Sequence, residues 1–132
     1  MKGFILDASA LLAMLQNEPG SARVVAVLDK CAMHTVNMAE VIAKLMRSGV
    51  PPADAKSMVY GLHLEAEPRL DDPGRCAHLL ATQRRLGLSL GDCVCLTTAA
   101  LSKAFALTAD RRWKELDGLD LQGLRLRVEA IG

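Results

Sequence analysis

Four carboxylates, Asp7, Glu40, Asp92 and Asp110, each stand where an apolar run gives way to a helical pattern or a turn. Their settings are Leu6-Asp7-Ala8-Ser9-Ala10, Asn37-Met38-Ala39-Glu40-Val41, Leu88-Ser89-Leu90-Gly91-Asp92 and Thr108-Ala109-Asp110. In a parallel α/β sheet, strand ends and helix starts converge on one edge, where loops leave a crevice. Carboxylates a few ångströms apart repel, and either raise one another's pKa or demand a cation. Oxygen donors without histidine or thiolate select Mg²⁺ or Mn²⁺, which keep coordination positions open for water and phosphate. Hydrolysis of a phosphodiester suits such a site, because a metal-activated water replaces a side-chain nucleophile. Each acid also has a plainer use. Asp7 suits a helix N-cap, and Asn37-x-x-Glu40 approximates a capping box, with Lys44 one turn beyond Glu40.

The elements that would position these groups alternate between strand and helix. Phe4 to Leu6 is a short apolar run suited to a central strand buried on both faces, followed by a helix over 9–16 that stops at Asn17-Glu18-Pro19-Gly20. Ser21 is placed to cap a second helix with Val24, Val25, Val27 and Leu28 on its apolar stripe. A strand over 31–36 contains His34, which reads as a satisfied structural residue. The helix opened by Asn37 carries Met38, Val41, Ile42, Leu45 and Met46 at i, i+3, i+4, i+7 and i+8 spacing. Another helix follows Pro51-Pro52 and runs to about 62.

A weak strand over 64–67 precedes Asp71-Asp72-Pro73-Gly74, a turn that caps a helix reaching about 86, with Cys76, Leu79, Leu80 and Leu86 inward. Gly91-Asp92 leads into a helix over 93–101 with hardly any charge, which must be buried on most sides. A strand over 104–108, a short helix over 111–116 and an alternating edge strand over 124–131 complete the pattern. The prediction is an α/β fold, a mainly parallel sheet of four or five strands with helices on both faces.

Composition narrows the options. With 132 residues, 51% of them apolar and 3% aromatic, the chain fits one domain with an aliphatic core, spanning 1–132. Its apolar runs are shorter than a membrane helix needs, and no charged leader precedes the first strand, so a soluble cytoplasmic protein is expected. Cys31, Cys76, Cys93 and Cys95 lack zinc-site spacing, and neither zinc nor disulfides are expected. A net charge of +1 gives no global attraction to nucleic acid, which leaves local clusters such as Arg84-Arg85, Arg111-Arg112 and Arg125 with Arg127.

The four acidic motifs, in this order and in a chain of this length, resemble those of the PIN-domain ribonucleases, specifically the VapC-type toxins of toxin–antitoxin pairs. The resemblance covers nearly the whole chain. It implies an α/β/α sandwich and an Mg²⁺ or Mn²⁺ site made by Asp7, Glu40, Asp92 and Asp110, with Asp7 and Asp92 the most direct ligands and Ser9 and Asn37 as supporting polar groups. It further implies single-stranded or transfer RNA as substrate, a homodimer, and an antitoxin whose C-terminal segment blocks the active site. Two other classes compete. A phosphatase or phospho-acceptor domain would use Asp7 as nucleophile, but Ser9 stands where a haloacid dehalogenase-like phosphatase has its second Asp. In a non-catalytic PIN-like binding module the acids would serve only as caps.

Overall fold

The computed structural model describes residues 2–132. Five strands, β1 (Phe4–Leu6), β2 (Cys31–His34), β3 (Glu65–Glu67), β4 (Phe105–Thr108) and β7 (Val128–Ala130), form one sheet in the order β3-β2-β1-β4-β7. All four pairings are parallel. The central strand is β1, with Phe4 opposite both Cys31 and Phe105. A small antiparallel hairpin, β5 (Asp120–Leu121) and β6 (Leu124–Arg125), stands apart from this sheet.

Six helices cover the two faces: α1 (Ala8–Leu15), α2 (Ser21–Val27), α3 (Thr35–Arg47), α4 (Pro52–Tyr60), α5 (Pro73–Thr82) and α6 (Leu90–Ser102). Successive side chains of a strand point to opposite faces, so β1 feeds two cores. Ile5 joins α5, α6 and Trp113, while Leu6 joins α1 to α4. This is the α/β/α sandwich that the sequence predicts.

Helix α3 buries Met38, Val41 and Leu45 on the predicted stripe. Nine residues of α6 are buried, from Gly91 to Ala100, which accounts for its lack of charge. The four cysteines are buried and free. Burial pushes the Cys31 thiol up to about 11 and Cys93 up to about 12, so neither forms a thiolate readily.

Four local expectations are corrected. Helix α3 begins at Thr35, with His34 as its N-cap: Nδ1 accepts from the Val36 N–H at 3.0 Å, leaving Nε2 to donate to the Arg69 carbonyl at 3.1 Å. Asn37 lies inside the helix and Glu40 in its second turn, so the capping box does not form. Ser21 is the first residue of α2 and not its cap; Gly20 holds the cap position at φ +91. A Cβ on Gly20 would fall 2.7 Å from the Gly132 nitrogen, a space and a conformation that only glycine tolerates. The segment 124–131 is divided, its first residues pairing back in the hairpin and Val128–Ala130 alone reaching the sheet edge. Leu80 is 39% exposed, because it lies on the outer side of α5.

Candidate active site

Asp7 follows the last residue of β1, and its backbone N–H extends the ladder to the Leu107 carbonyl at 3.0 Å. Its carboxylate accepts from the Ala10 N–H at 2.8 Å, which caps α1, and from the Thr108 hydroxyl at 2.6 Å. Ser9 Oγ lies 2.8 Å from each carboxylate oxygen and accepts from the Ala109 N–H at 2.9 Å. Ser9 has one proton for two oxygens. A carboxylate offers about four lone-pair directions. The three donors around Asp7 fill three, and one acceptor direction stays open.

All three donors are neutral, and Asp7 is only 3% exposed. Burial, the dominant influence, pushes its carboxyl up to about 6; the bonds from Thr108, Ala10 and Ser9 oppose that rise, and the charge of Asp92 adds to it. Asp7 is a desolvated carboxylate that no cation among the described residues compensates through a hydrogen bond.

Asp92 stands in the first turn of α6. Its Oδ2 accepts from the Ser89 N–H at 2.8 Å while Ser89 Oγ accepts from the Asp92 N–H at 3.1 Å, a complete capping box. Glu40 arrives from α3 and lies against the residue beside it: a Cβ on Gly91 would fall 2.6 Å from Glu40 Oε2. Asn37 ties the two helices together, its Nδ2 donating to Glu40 Oε1 at 2.8 Å and to the Gly91 carbonyl at 3.0 Å. Its Oδ1 is buried without a hydrogen-bond partner. Glu40 thus lies against the residue that precedes Asp92, and α6 packs on β1, where Cys95 Sγ meets the Ile5 carbonyl at 3.9 Å two residues before Asp7.

Asp110 follows β4, linked to Asp7 through Thr108, whose Oγ1 accepts from the Asp110 N–H at 3.0 Å. Its carboxylate faces Arg112: Nε lies 3.1 Å from Oδ1, Nη2 lies 2.8 Å from Oδ2, and the Arg112 N–H bonds Oδ1 at 3.0 Å. These contacts hold the Asp110 carboxyl below the usual carboxylate range. The turn carrying Asp110 is anchored by Trp113, which is 1% exposed. Among the described residues, no three His, Cys, Asp or Glu side chains are posed to hold one metal ion. Asp92 is turned toward Ser89 and Asp110 toward Arg112, while Glu40 is held by Asn37.

Three of the four acids act as helix caps, namely Asp7, Asp92 and Asp110; Glu40, for which the sequence offered a capping box, does not. The sequence reading missed Thr108 and Arg112 as site residues. Thr108 had one signal, a hydroxyl at the end of the strand leading to Asp110. Arg112 was visible only as half of a basic pair.

A model of the PIN domain matches residues 4–119. The chain belongs to the PIN domain family. A comparison with curated proteins finds no match. Among solved structures, this PIN domain is similar in fold to DNA-bound VapBC from Salmonella typhimurium, with a TM-score of 0.71, 18% identity and 98% of each chain covered. VapBC2 from Rickettsia felis, bound to a DNA fragment from its promoter, gives a TM-score of 0.66 at 16% identity, again over 98% of each chain. VapBC-5 from Mycobacterium tuberculosis, a member of the VapBC family of toxin–antitoxin systems, gives 0.61 at 22% identity over 98% of each chain. These likenesses extend over nearly the whole chain, beyond the stretch that the family model matches.

Proposed function

We propose that this PIN domain is a divalent-metal-dependent endoribonuclease and the toxin of a toxin–antitoxin pair, a single domain over 1–132 acting in the cytoplasm. The observation that carries the nuclease reading is Asp7, a carboxylate buried at the carboxyl edge of a parallel sheet, among neutral donors, with one acceptor direction open, while Glu40 and Asp92 flank Gly91 on the helix that packs against its strand. Hard oxygen donors of this kind suit Mg²⁺ or Mn²⁺. The buried Asn37 Oδ1 has no hydrogen-bond partner, a polar atom beside Glu40 still to be satisfied.

Asp7 and Asp92 would be the most direct ligands, with Glu40 and Asp110 completing the set. When bound, the ion supplies Lewis acidity that activates water and offsets charge on the leaving oxygen. Ser9 and Thr108 orient Asp7 by donating to it. Glu40 Oε1 is held by Asn37, which leaves Oε2 to orient or deprotonate the attacking water. A net charge of +1 gives little general attraction to nucleic acid, so a substrate, single-stranded or transfer RNA, would have to be gripped locally by arginines such as Arg112.

The toxin role rests on the likeness to VapBC complexes. An apolar groove of about 360 Å³ between α3 and α4, lined by Met38, Ile42, Met46 and Tyr60 among others, suits an amphipathic helix of an antitoxin. A basic antitoxin side chain entering the acidic crevice would compete with metal. Exposed Val25 and Tyr60 suit a symmetric homodimer, which light scattering at micromolar concentration tests; a monomeric mass refutes it.

The second reading, a non-catalytic module, is favoured by the caps at Asp7, Asp92 and Asp110. One assay separates the two. Labelled RNA incubated with Mn²⁺, with and without chelator, is cleaved by the wild type and not by Asp7→Asn if the nuclease reading holds. Intact RNA under every condition sinks it.

A further inference from the structure

Arg112 is placed where a resident cation would compete with an added one. Its guanidinium grips both oxygens of Asp110 from the same short turn, and its own backbone N–H bonds Oδ1 as well. The Arg112 side chain is 64% exposed and that of Asp110 28%, so the pair sits at the surface and not in the core. Asp110 is in turn tied to Asp7 through Thr108, whose Oγ1 donates to the Asp7 carboxylate and accepts from the Asp110 N–H, so the ion pair stands one residue from the buried acid's own hydrogen-bond shell. A planar, permanently charged fork satisfies two carboxylate oxygens at once, occupying the lone pairs that a metal would need.

We propose that Arg112 is an internal counterion that a divalent metal must displace from Asp110, so that this residue sets the metal affinity of the site. The inference rests on the metal-dependent reading above. In the metal-free protein Arg112 offsets the charge of Asp110 and holds its carboxylate turned aside. Metal binding then requires an exchange of partners at Asp110, with the guanidinium released toward solvent and the crevice. Without Arg112, the carboxylate is free to turn inward from the start. Lysine, a point charge without the fork, competes less well than arginine but better than a neutral side chain.

Calorimetric titration of Mn²⁺ into the wild type, Arg112→Gln, Arg112→Lys, Asp110→Asn, the double variant and Asp7→Asn tests the exchange. An exposed ion pair competes only weakly, so Arg112→Gln should bind Mn²⁺ more tightly by about fivefold at most, with Arg112→Lys between it and the wild type. In the Asp110→Asn background the Arg112 substitution should change little, since the competition is gone. Equal or weaker binding by Arg112→Gln overturns the proposal, because it makes the arginine a bystander or a support for Asp110. A gain that persists undiminished with Asn at 110 also overturns it, because it reports only a lost charge. If the wild type binds no Mn²⁺, the metal reading itself falls. Binding by the wild type that Asp7→Asn abolishes, but that Arg112→Gln leaves unchanged, removes this inference alone.

Discussion

Gly91 on α6 lies so close to Glu40 on α3 that a methyl group on its α-carbon would overlap the Glu40 carboxylate. The Gly91 carbonyl and Glu40 Oε1 share one donor, Asn37 Nδ2, so the contact is bonded on both sides. A glycine in a helix is worth about 1 kcal/mol less than alanine, and at this position the missing Cβ leaves the space that the Glu40 carboxylate occupies.

Gly91→Ala should push the flexible end of Glu40 aside while leaving the protein folded. Better helix propensity offsets the local crowding, so the melting temperature should change little, whereas RNA cleavage should fall by at least ~10-fold. Unaltered turnover in a folded Gly91→Ala protein would show that the position of Glu40 is irrelevant.

Glu40→Gln is a sharper version of the same test. Glutamine keeps an oxygen for Asn37 Nδ2, and Glu40 caps no helix, so stability should hold. The loss of charge should lower turnover by ~10²-fold, the usual scale of a general base. An active variant would return Glu40 to a structural role.

Asp7 gives a pH signature. Its carboxyl is raised from 3.8 to about 6, so the folded state holds this proton more tightly than the unfolded chain. That contribution is fully present below pH 3.8 and is lost as pH rises through about 6, amounting to about 3 kcal/mol for a buried group. In chelator, Asp7→Asn should therefore gain stability relative to the wild type between pH 4 and pH 7. Millimolar Mn²⁺ should restore the wild type at pH 7.5 by mass action. Parallel stability curves for the two proteins, or no metal effect, would exclude a desolvated ligand at this position.

Thr108 is the strongest of the hydrogen bonds that restrain that rise. Thr108→Val removes the hydroxyl and nearly keeps the shape, so the Asp7 carboxyl should climb further. The acidic limb of the pH–rate profile should shift toward alkaline pH, with a stability loss of about 1–3 kcal/mol for the lost buried bond. An unmoved profile would mean that Asp7 does not titrate in the rate-limiting state.

Much of this arrangement is legible in the sequence, since strand–acid–helix is a local pattern and local physics sets it. Phe4 to Leu6 and the stripe of α3 needed only periodicity. The start of α3 was misplaced because β-branched Thr35 and Val36 read as strand, and nothing local shows that a histidine ring will cap the helix. The stretch 124–131 was misread because alternation looks the same in a hairpin and at a sheet edge. Leu124 and Leu126 in fact pack against the α5–α6 core, well short of the edge strand. Thr108 and Arg112 were silent for another reason: their meaning lies in which carboxylates they meet, and tertiary structure decides that.

The bond from Thr108 to Asp7 joins residues 101 positions apart, and that from Ala109 to Ser9 spans 100. A ribosome delivers Asp7 long before it delivers either partner. Until β4 emerges and slots beside β1, Asp7 stays in water with an ordinary carboxylate, and the crevice has no wall on that side. A chain that ends before β4 carries Asp7, Glu40 and Asp92 but neither Asp110 nor the strand that buries Asp7. On the nuclease reading proposed above, a working site would exist only once the product is nearly whole, and a partner of the kind proposed would have until that moment to arrive.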